Sequence, residues 1–331
     1  MDVQQRMDLL VRLGHYMMGE DESWTGAKQK AERANNWFIQ EFIEQATGTI
    51  AAQFLQKEKL ESFVRQYNIS ITQEPKTVGL VMAGNIPLVG FHDWLCLFLA
   101  GHRVKIKASS KDEVLIKHLT AQLALWNPDI NNQLFFADML KACDAYIATG
   151  SNNTARYFEY YFARYPHIIR KNRTSVAILT GHESGAELER LADDVHLYFG
   201  LGCRNVTMLW VPHGYDFVPL LRAFEKWGHL VNYHKYKNNY DYQLAICLLN
   251  NQYYMTNGSV LLLEDAQLFS PISQVNYAFY ADKEKLLHEL QQNSEVQCIV
   301  GNGPVPFGQA QVPALTDFAD GVDTMQFALG L

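Results

Sequence analysis

From Thr77 onward the chain alternates short apolar runs with longer helical stretches, and no other feature restricts its fold as much. The runs are Val78-Gly79-Leu80-Val81-Met82-Ala83, Arg103-Val104-Lys105-Ile106-Lys107, residues 133–137 and Ala145-Tyr146-Ile147-Ala148. Helical patterns fill residues 91–99, stopped by Gly101, and 112–126, ended by Asn127-Pro128. A short run that is apolar throughout suits a strand covered on both faces. Strands that take turns with helices are joined by crossovers, which makes the sheet parallel and the fold doubly wound.

The pattern resumes at Ser175-Val176-Ala177-Ile178-Leu179. A helix then runs toward Cys203, followed by a strand over 207–211, a helix over 217–227, strands over 260–263 and 275–280, a helix over 284–292 and a strand over 296–300. Residues 2–66 are helical, because Leu9, Leu10 and Leu13, then Trp37, Phe38 and Phe42, then Ile50, Phe54 and Leu55 recur at helical spacing. Gly14, Gly19, Gly26 and Gly48 punctuate that stretch. Residues 67–72 alternate like a short strand, closed by Pro75. The expected segments are helical over 1–74, α/β over 75–174, α/β again over 175–300, and a Gly- and Pro-rich tail over 301–331.

At 331 residues and 48% hydrophobic, the chain can bury two cores. A net charge of −7 and a pI near 5.9 argue against nucleic acid as a partner, which needs a basic surface. No apolar run reaches the roughly 18 residues of a membrane span. The first residues carry charges and lack the core of a signal peptide, so a cytoplasmic location is expected. Cys96, Cys143, Cys203, Cys247 and Cys298 are widely spaced and odd in number. That pattern points to no metal and no disulfide framework, leaving a reactive thiol as the role for any important cysteine.

Three segments carry the chemistry. The first is the turn Ala83-Gly84-Asn85-Ile86-Pro87 after a strand. Open α/β sheets bind ligands at the carboxyl ends of their strands, although this turn alone is an ordinary βα connection. The second is Thr149-Gly150-Ser151-Asn152, where a strand ends and a helix begins with Ser151 or Asn152 as N-cap. Backbone N–H groups at such a start attract an anion. The third is Tyr198-Phe199-Gly200-Leu201-Gly202-Cys203-Arg204-Asn205-Val206. Cys203 follows two glycines, which let a substrate approach the backbone, and the spacing puts it at a helix end beside Arg204, a cation that would favour the thiolate. His167, His182 and His196 titrate near neutrality, and none is assigned as a base. Gly181-His182-Glu183-Ser184-Gly185 is not a nucleophile elbow, since its serine is displaced.

Together these segments resemble the aldehyde-dehydrogenase superfamily. The turn at 83–87 is followed by a helix, Gly101, a strand and Lys107-Ala108-Ser109-Ser110, in the order of that superfamily's asparagine turn and lysine-proline-serine-glutamate motif. Cys203 falls in register with its phenylalanine-x-x-glycine-glutamine-cysteine signature. A narrower resemblance is to the LuxC-type acyl-CoA reductases. It is carried by Leu191-Ala192-Asp193-Asp194-Val195, by Gly202-Cys203-Arg204-Asn205-Val206, by Val305-Pro306-Phe307-Gly308-Gln309-Ala310-Gln311 and by Asp320-Gly321-Val322-Asp323-Thr324. It spans residues 75–331.

The resemblance implies an aldehyde-dehydrogenase-like fold: two doubly wound α/β domains with N-terminal helices. Residues 75–174 become the nicotinamide-cofactor domain with 1–74 packed on it, 175–300 the catalytic domain, and 301–331 a tail returning to the cleft. Cys203 becomes the nucleophile and Asn85 an oxyanion donor. Ala83, Gly84, Lys107, Ser109, Ser110, Thr149, Gly150 and Ser151 become cofactor contacts. Two departures stand out: Gly84 replaces the superfamily's tryptophan, and Ser110 replaces the glutamate that reads the ribose. An uncharged Ser110 favours NADPH, with NADH the alternative. The stretch Arg170-Lys171-Asn172-Arg173-Thr174-Ser175 holds no carboxylate where aldehyde dehydrogenases keep the base that activates water. The expected activity is therefore reduction of an acyl-CoA or acyl-carrier thioester to an aldehyde. The alternatives are an aldehyde dehydrogenase and a non-catalytic partner that binds an acyl-enzyme. A homodimer is the expected assembly if the chain self-associates.

Overall fold

Four helices open the chain, and the first two begin at side-chain caps. In α1 (Val3–Met18) the Asp2 carboxylate accepts from Gln5 N–H while the Gln5 side chain accepts from Asp2 N–H, a reciprocal capping box. Asp21 caps α2 (Glu22–Ala34) by accepting from Ser23 and Trp24 N–H. Helices α3 (Gln40–Phe54) and α4 (Lys57–Gln66) follow without side-chain caps and depend on buried faces such as Phe42, Ile43 and Ile50. Of the four punctuating glycines, only Gly19 ends a helix. Gly14, Gly26 and Gly48 lie inside α1, α2 and α3. Gly14 is there because a Cβ would come within 2.8 Å of Leu55 Cβ.

The computed structural model describes residues 1–69 and 74–331. The expected strand over 67–72 is not borne out at its start. Tyr67 and Asn68 form the turn that ends α4, with Asn68 left-handed at φ 47°. Residues 70–72 lie outside the described residues.

The chain divides into two compact units, residues 1–172 with 313–331, and residues 173–312. In the first, β1 (Thr77–Val81), α5 (Phe91–Ala100), β2 (Arg103–Lys107), α6 (Val114–Trp126), β3 (Leu134–Phe136), β4 (Ala145–Thr149), α7 (Asn152–Phe162) and β5 (His167–Arg170) follow in order. The strands form one parallel sheet in the order β3-β2-β1-β4-β5. Helix α5 is buried over nearly its whole circumference, and Gly101 ends it in the left-handed region at φ 87°. The buried Arg6 of α1 donates to Leu99 O at 3.1 Å, tying the N-terminal helices to α5.

The second unit holds β6 (Thr174–Ile178), α8 (Gly185–His196), β7 (Val206–Pro212), α9 (Val218–Phe224), α10 (His234–Leu249), β8 (Met255–Thr256), β9 (Leu261–Glu264), β10 (Gln274–Tyr280), α11 (Lys283–Gln292) and β11 (Val296–Gly301). Their sheet runs β11-β6-β7-β10-β9-β8, parallel except for the short β8–β9 pair. Helix α8 stops at His196, well short of Cys203.

The expected tail splits. Residues 301–312 stay with the second unit, where Asp194 accepts from Gly308 N–H at 2.6 Å and Ala310 N–H at 3.0 Å. Residues 313–331 join the first unit through Leu315, Met325 and Ala328, which enter its core, the last two from α12 (Thr324–Leu329). A buried ion pair fixes that return. Arg170, at the end of β5, binds Asp93 of α5 through two bonds of 3.0 and 2.7 Å. It also donates to Ala319 O at 2.5 Å and Thr324 Oγ1 at 2.7 Å. Burial works to raise the Asp93 carboxyl, but the Arg170 guanidinium overrides it and holds it below its ordinary value.

Candidate active site

In the first unit the chain leaves β1 toward β2 on one side and comes back to β4 on the other. That reversal opens a crevice at the carboxyl ends of β1 and β4, the usual ligand position in such sheets. Lys107 closes β2 opposite Val81, and Thr149 closes β4 beside β1. The turn Ala83-Gly84-Asn85 therefore leaves the sheet between the Lys107–Ser110 loop and the Thr149–Ser151 loop, so every singled-out residue except Cys203 shares one sheet edge. Asn85, Lys107, Ser110 and Ser151 are exposed. A cavity of about 550 Å³ lies at the other edge, among Arg6, Arg103 and Gln133, where the strands begin.

Two contacts lock the loops together. A Cβ on Gly84 would meet Ser109 Oγ at 2.7 Å and Ser109 Cβ at 2.9 Å, so the neighbouring loop leaves room only for glycine there. Ser109 is thus partly a packing residue, and its hydroxyl accepts from Lys111 N–H at 3.3 Å. Beyond it, the buried Asp112 accepts from Leu88 N–H at 2.7 Å, holding Leu88 at a positive φ of 56°. Burial drives the Asp112 carboxyl well above its ordinary value, toward the neutral form. At the third loop Ser151, and not Asn152, caps α7 by accepting from Thr154 N–H at 3.3 Å. Asn152 instead accepts from Asn172 N–H at 3.1 Å.

These residues suit a ligand that carries a phosphate. The first turn of α7 presents N–H groups with no partner inside the helix, as a phosphate requires. Residues 107–111 carry two lysines and no acid, and the adjacent Asp112 is buried and pushed toward neutrality.

In the second unit Cys203 is half-buried in a tight turn directly before β7. Asn205 N–H donates to Gly202 O at 3.1 Å, and Gly202 N–H donates to Asn205 Oδ1 at 2.8 Å. Ser175 Oγ donates to Cys203 O at 3.1 Å. Three consecutive residues lead in with left-handed backbones, Tyr198 and Phe199 at φ 56° and Gly200 at φ 75°. For bulky residues this costs about 1–3 kcal/mol each and persists only where the surroundings enforce it.

One expectation about Cys203 changes. It lies in a turn that opens a strand, because α8 ends at His196 and the left-handed run redirects the chain. The Arg204 guanidinium donates to Cys298 Sγ at 3.2 Å and Ala310 O at 3.5 Å, which ties the turn to β11 and to the loop beyond it. His196 is an unsuitable base: burial lowers it to about 4, and its Nδ1 bonds Ala192 O.

Three segments marked in the sequence, 191–195, 202–206 and 305–311, meet here. Asp194 takes the N–H groups of Gly308 and Ala310, its backbone O accepts from Asn205 Nδ2 at 3.1 Å, and Arg204 reaches Ala310 O. Burial pushes the Asp194 carboxyl up to about 7 despite those two donors. Sequence reasoning gave no roles to Ser175, Asn205, Asp112 or Asp194. Each is a buried polar side chain that bonds the backbone of another segment, and the only signal was the recurrence of Asp194 and Asn205 in the quoted motifs. Among the described residues, no helix is long and apolar enough to cross a membrane.

The sequence matches no protein-family model and no curated protein. Solved structures do match. Aldehyde dehydrogenase 21 from Physcomitrella patens, in complex with the reaction product succinate, is 11% identical, with a TM-score of 0.69 over 100% of this chain and 84% of its own. An NAD-dependent aldehyde dehydrogenase from Sinorhizobium meliloti is 11% identical, with a TM-score of 0.68 over 90% and 74%. An aldehyde dehydrogenase from Mycobacterium tuberculosis complexed with NAD+ is 13% identical, with a TM-score of 0.59 over 87% and 70%. Parallel sheets in this order, flanked by these helices, give the chain the aldehyde-dehydrogenase fold.

Proposed function

We propose that the chain is an NAD(P)-dependent oxidoreductase of the LuxC type, which reduces an acyl thioester to an aldehyde through Cys203. The observation that carries this reading is the Cys203 turn, a cysteine fixed by hydrogen bonds on both flanks in a fold whose solved neighbours are aldehyde dehydrogenases. The Cys203 thiolate attacks the thioester carbonyl, its sulfur bonds to the acyl carbon, and the thiol of CoA or a carrier departs. A backbone N–H beside Cys203 donates to the oxyanion. Lys107 and Ser110 hold the adenosine ribose, while Ala83, Gly84, Ser109 and residues 149–151 line the rest of the cofactor site. When bound, the reduced nicotinamide supplies the hydride that takes the acyl carbon to the aldehyde level. Cys203 is then the leaving group that releases the product.

One observation favours a thioester reductase over an aldehyde oxidiser. Residues 167–175 contain no acid, and Arg170 at the end of β5 is committed to Asp93. A reaction that passes its acyl group to hydride needs no water-activating base there. NADPH is the expected donor, since Ser110 carries no charge to repel a 2′-phosphate.

The test is to incubate the protein with an acyl-CoA and NADPH, and separately with an aldehyde and NADP. Aldehyde from the first arm, with little acid from the second, is expected. Cys203→Ala should abolish turnover and thiol labelling at that site while cofactor still binds. Acid formation at a comparable rate would make the chain an aldehyde dehydrogenase, and no product in either arm would make it a non-catalytic partner.

A further inference from the structure

We infer that Asn205 positions the Cys203 nucleophile, with Ser175 as the second point of support; the inference rests on Cys203 being the nucleophile of the reaction proposed above. Asn205 is fully buried, and both polar atoms of its side chain are used. Its Oδ1 accepts from Gly202 N–H at 2.8 Å. Its Nδ2 donates to Leu197 O at 2.8 Å, Asp194 O at 3.1 Å and Val195 O at 3.2 Å. These are carbonyls from the last turn of α8 and the residue that caps it, which lack partners inside the helix.

One amide therefore joins the end of α8 to the residue just before Cys203. Its own backbone closes the turn from the other side, with Asn205 N–H on Gly202 O and Ser175 N–H on Asn205 O, both at 3.1 Å. Ser175 Oγ donates to the Cys203 carbonyl. The left-handed run at 198–200 would relax if its two ends were not pinned, and Asn205 pins both, at Leu197 and at Gly202. The chemistry demands asparagine. Aspartate keeps the acceptor for Gly202 but turns an anion toward three carbonyls. Alanine loses both functions. Nucleophilic attack needs the sulfur and the oxyanion donors in fixed register, and an error of about 1 Å can cost roughly a hundredfold in rate. Asn205 thus acts through Cys203 and is a positioning residue.

Two reactions of the full-length protein separate position from mere access. Iodoacetamide alkylates an accessible thiolate with little demand on its surroundings. p-Nitrophenyl acetate acylates the cysteine through a tetrahedral state: the sulfur bonds to the acetyl carbon, the ester C–O bond breaks and p-nitrophenolate leaves in a measurable burst. Asn205→Ala and Asn205→Asp should lower the burst rate about a hundredfold, with iodoacetamide labelling of the Cys203 peptide within about threefold of wild type. Ser175→Ala, a mild change, should lower the burst about tenfold. Ser184→Ala removes the cap at the far end of α8 and serves as the stability control, with the burst unchanged.

A wild-type burst rate in folded Asn205→Ala overturns the inference, as does an equal loss in Ser184→Ala. If both Asn205 variants fail to fold, Ser175→Ala decides, and an unchanged burst there overturns it. The absence of any burst at Cys203 in the wild type overturns it together with the nucleophile. A burst without acyl-CoA reduction refutes the thioester-reductase reading alone.

Discussion

Ser110 stands exposed just past the end of β2, where Lys107 closes the strand opposite Val81. The positive charge of this loop comes from Lys107 and Lys111, both exposed. Ser110→Glu puts a carboxylate beside the place proposed for the 2′-phosphate. Like charges a few ångströms apart in a partly dry crevice repel by about 1–4 kcal/mol, enough to reverse a tenfold preference. We expect wild type to bind NADPH more tightly than NADH and Ser110→Glu to favour NADH, read by fluorescence titration of both cofactors. An unchanged ratio would move the ribose away from Ser110. Two buried groups of the second unit have opposite pH signatures. Asp194 titrates near 7 in the fold against an ordinary 3.8, so the native state holds the extra proton and its contribution to stability is lost as pH rises from about 4 to 7. His196 titrates near 4 against 6.5, so its contribution is lost as pH falls through that window. The two slopes oppose each other between pH 4 and 6.5. Asp194→Asn should therefore leave a protein whose urea midpoint climbs more steeply over that range than wild type. A parallel climb would mean that the Asp194 carboxylate is already ionised throughout.

At the scale of elements, the Arg170–Asp93 pair joins β5 to α5 and both to the segment before α12. Arg170→Met leaves the Asp93 carboxylate buried without its cation, which costs about 3–5 kcal/mol. The double variant Arg170→Met with Asp93→Leu should regain much of that loss in urea unfolding, and a double variant no better than the single one would show that packing, not charge, is at stake. The same pair explains a limit of sequence reading. Strand β5 escaped it because His167–Arg170 ends in an arginine that looks solvent-bound until a carboxylate 77 residues away is brought to it. Helix α10 escaped it too, since His234–Leu249 opens without a side-chain cap and buries only Tyr236, Tyr240 and Cys247. The strands β2, β4, β7 and β10 and the end of α5 were legible, because apolar runs and a glycine stop are local signals. The candidate site was legible in part. Gly84, Thr149 and Cys203 follow from turn and motif, whereas the left-handed Tyr198 and Phe199 are residue types that ordinarily avoid that conformation.

At the scale of the whole molecule, the first unit is built from two separated stretches of chain, and the second lies between them in sequence. The closing stretch supplies core side chains and hydrogen-bond partners: His102 meets Ala328 O at 2.7 Å, and Tyr67 donates to Asp323 at 2.6 Å. Deleting residues 313–331 should raise hydrogen exchange in α5 and β5 by an order of magnitude or more, since buried elements exchange only through opening, while β6 and β7 keep wild-type protection. Uniform protection across both units would show that the closing stretch is dispensable. Translation gives this arrangement a further meaning. Domains ordinarily fold as they emerge from the ribosome, the earliest first. Here the order is inverted: residues 173–312 are complete while the half made before them still waits for its last stretch, and until that stretch emerges a nascent Arg170 and Asp93 lack Thr324 and Ala319. The unit begun before residues 173–312 is thus finished only after them.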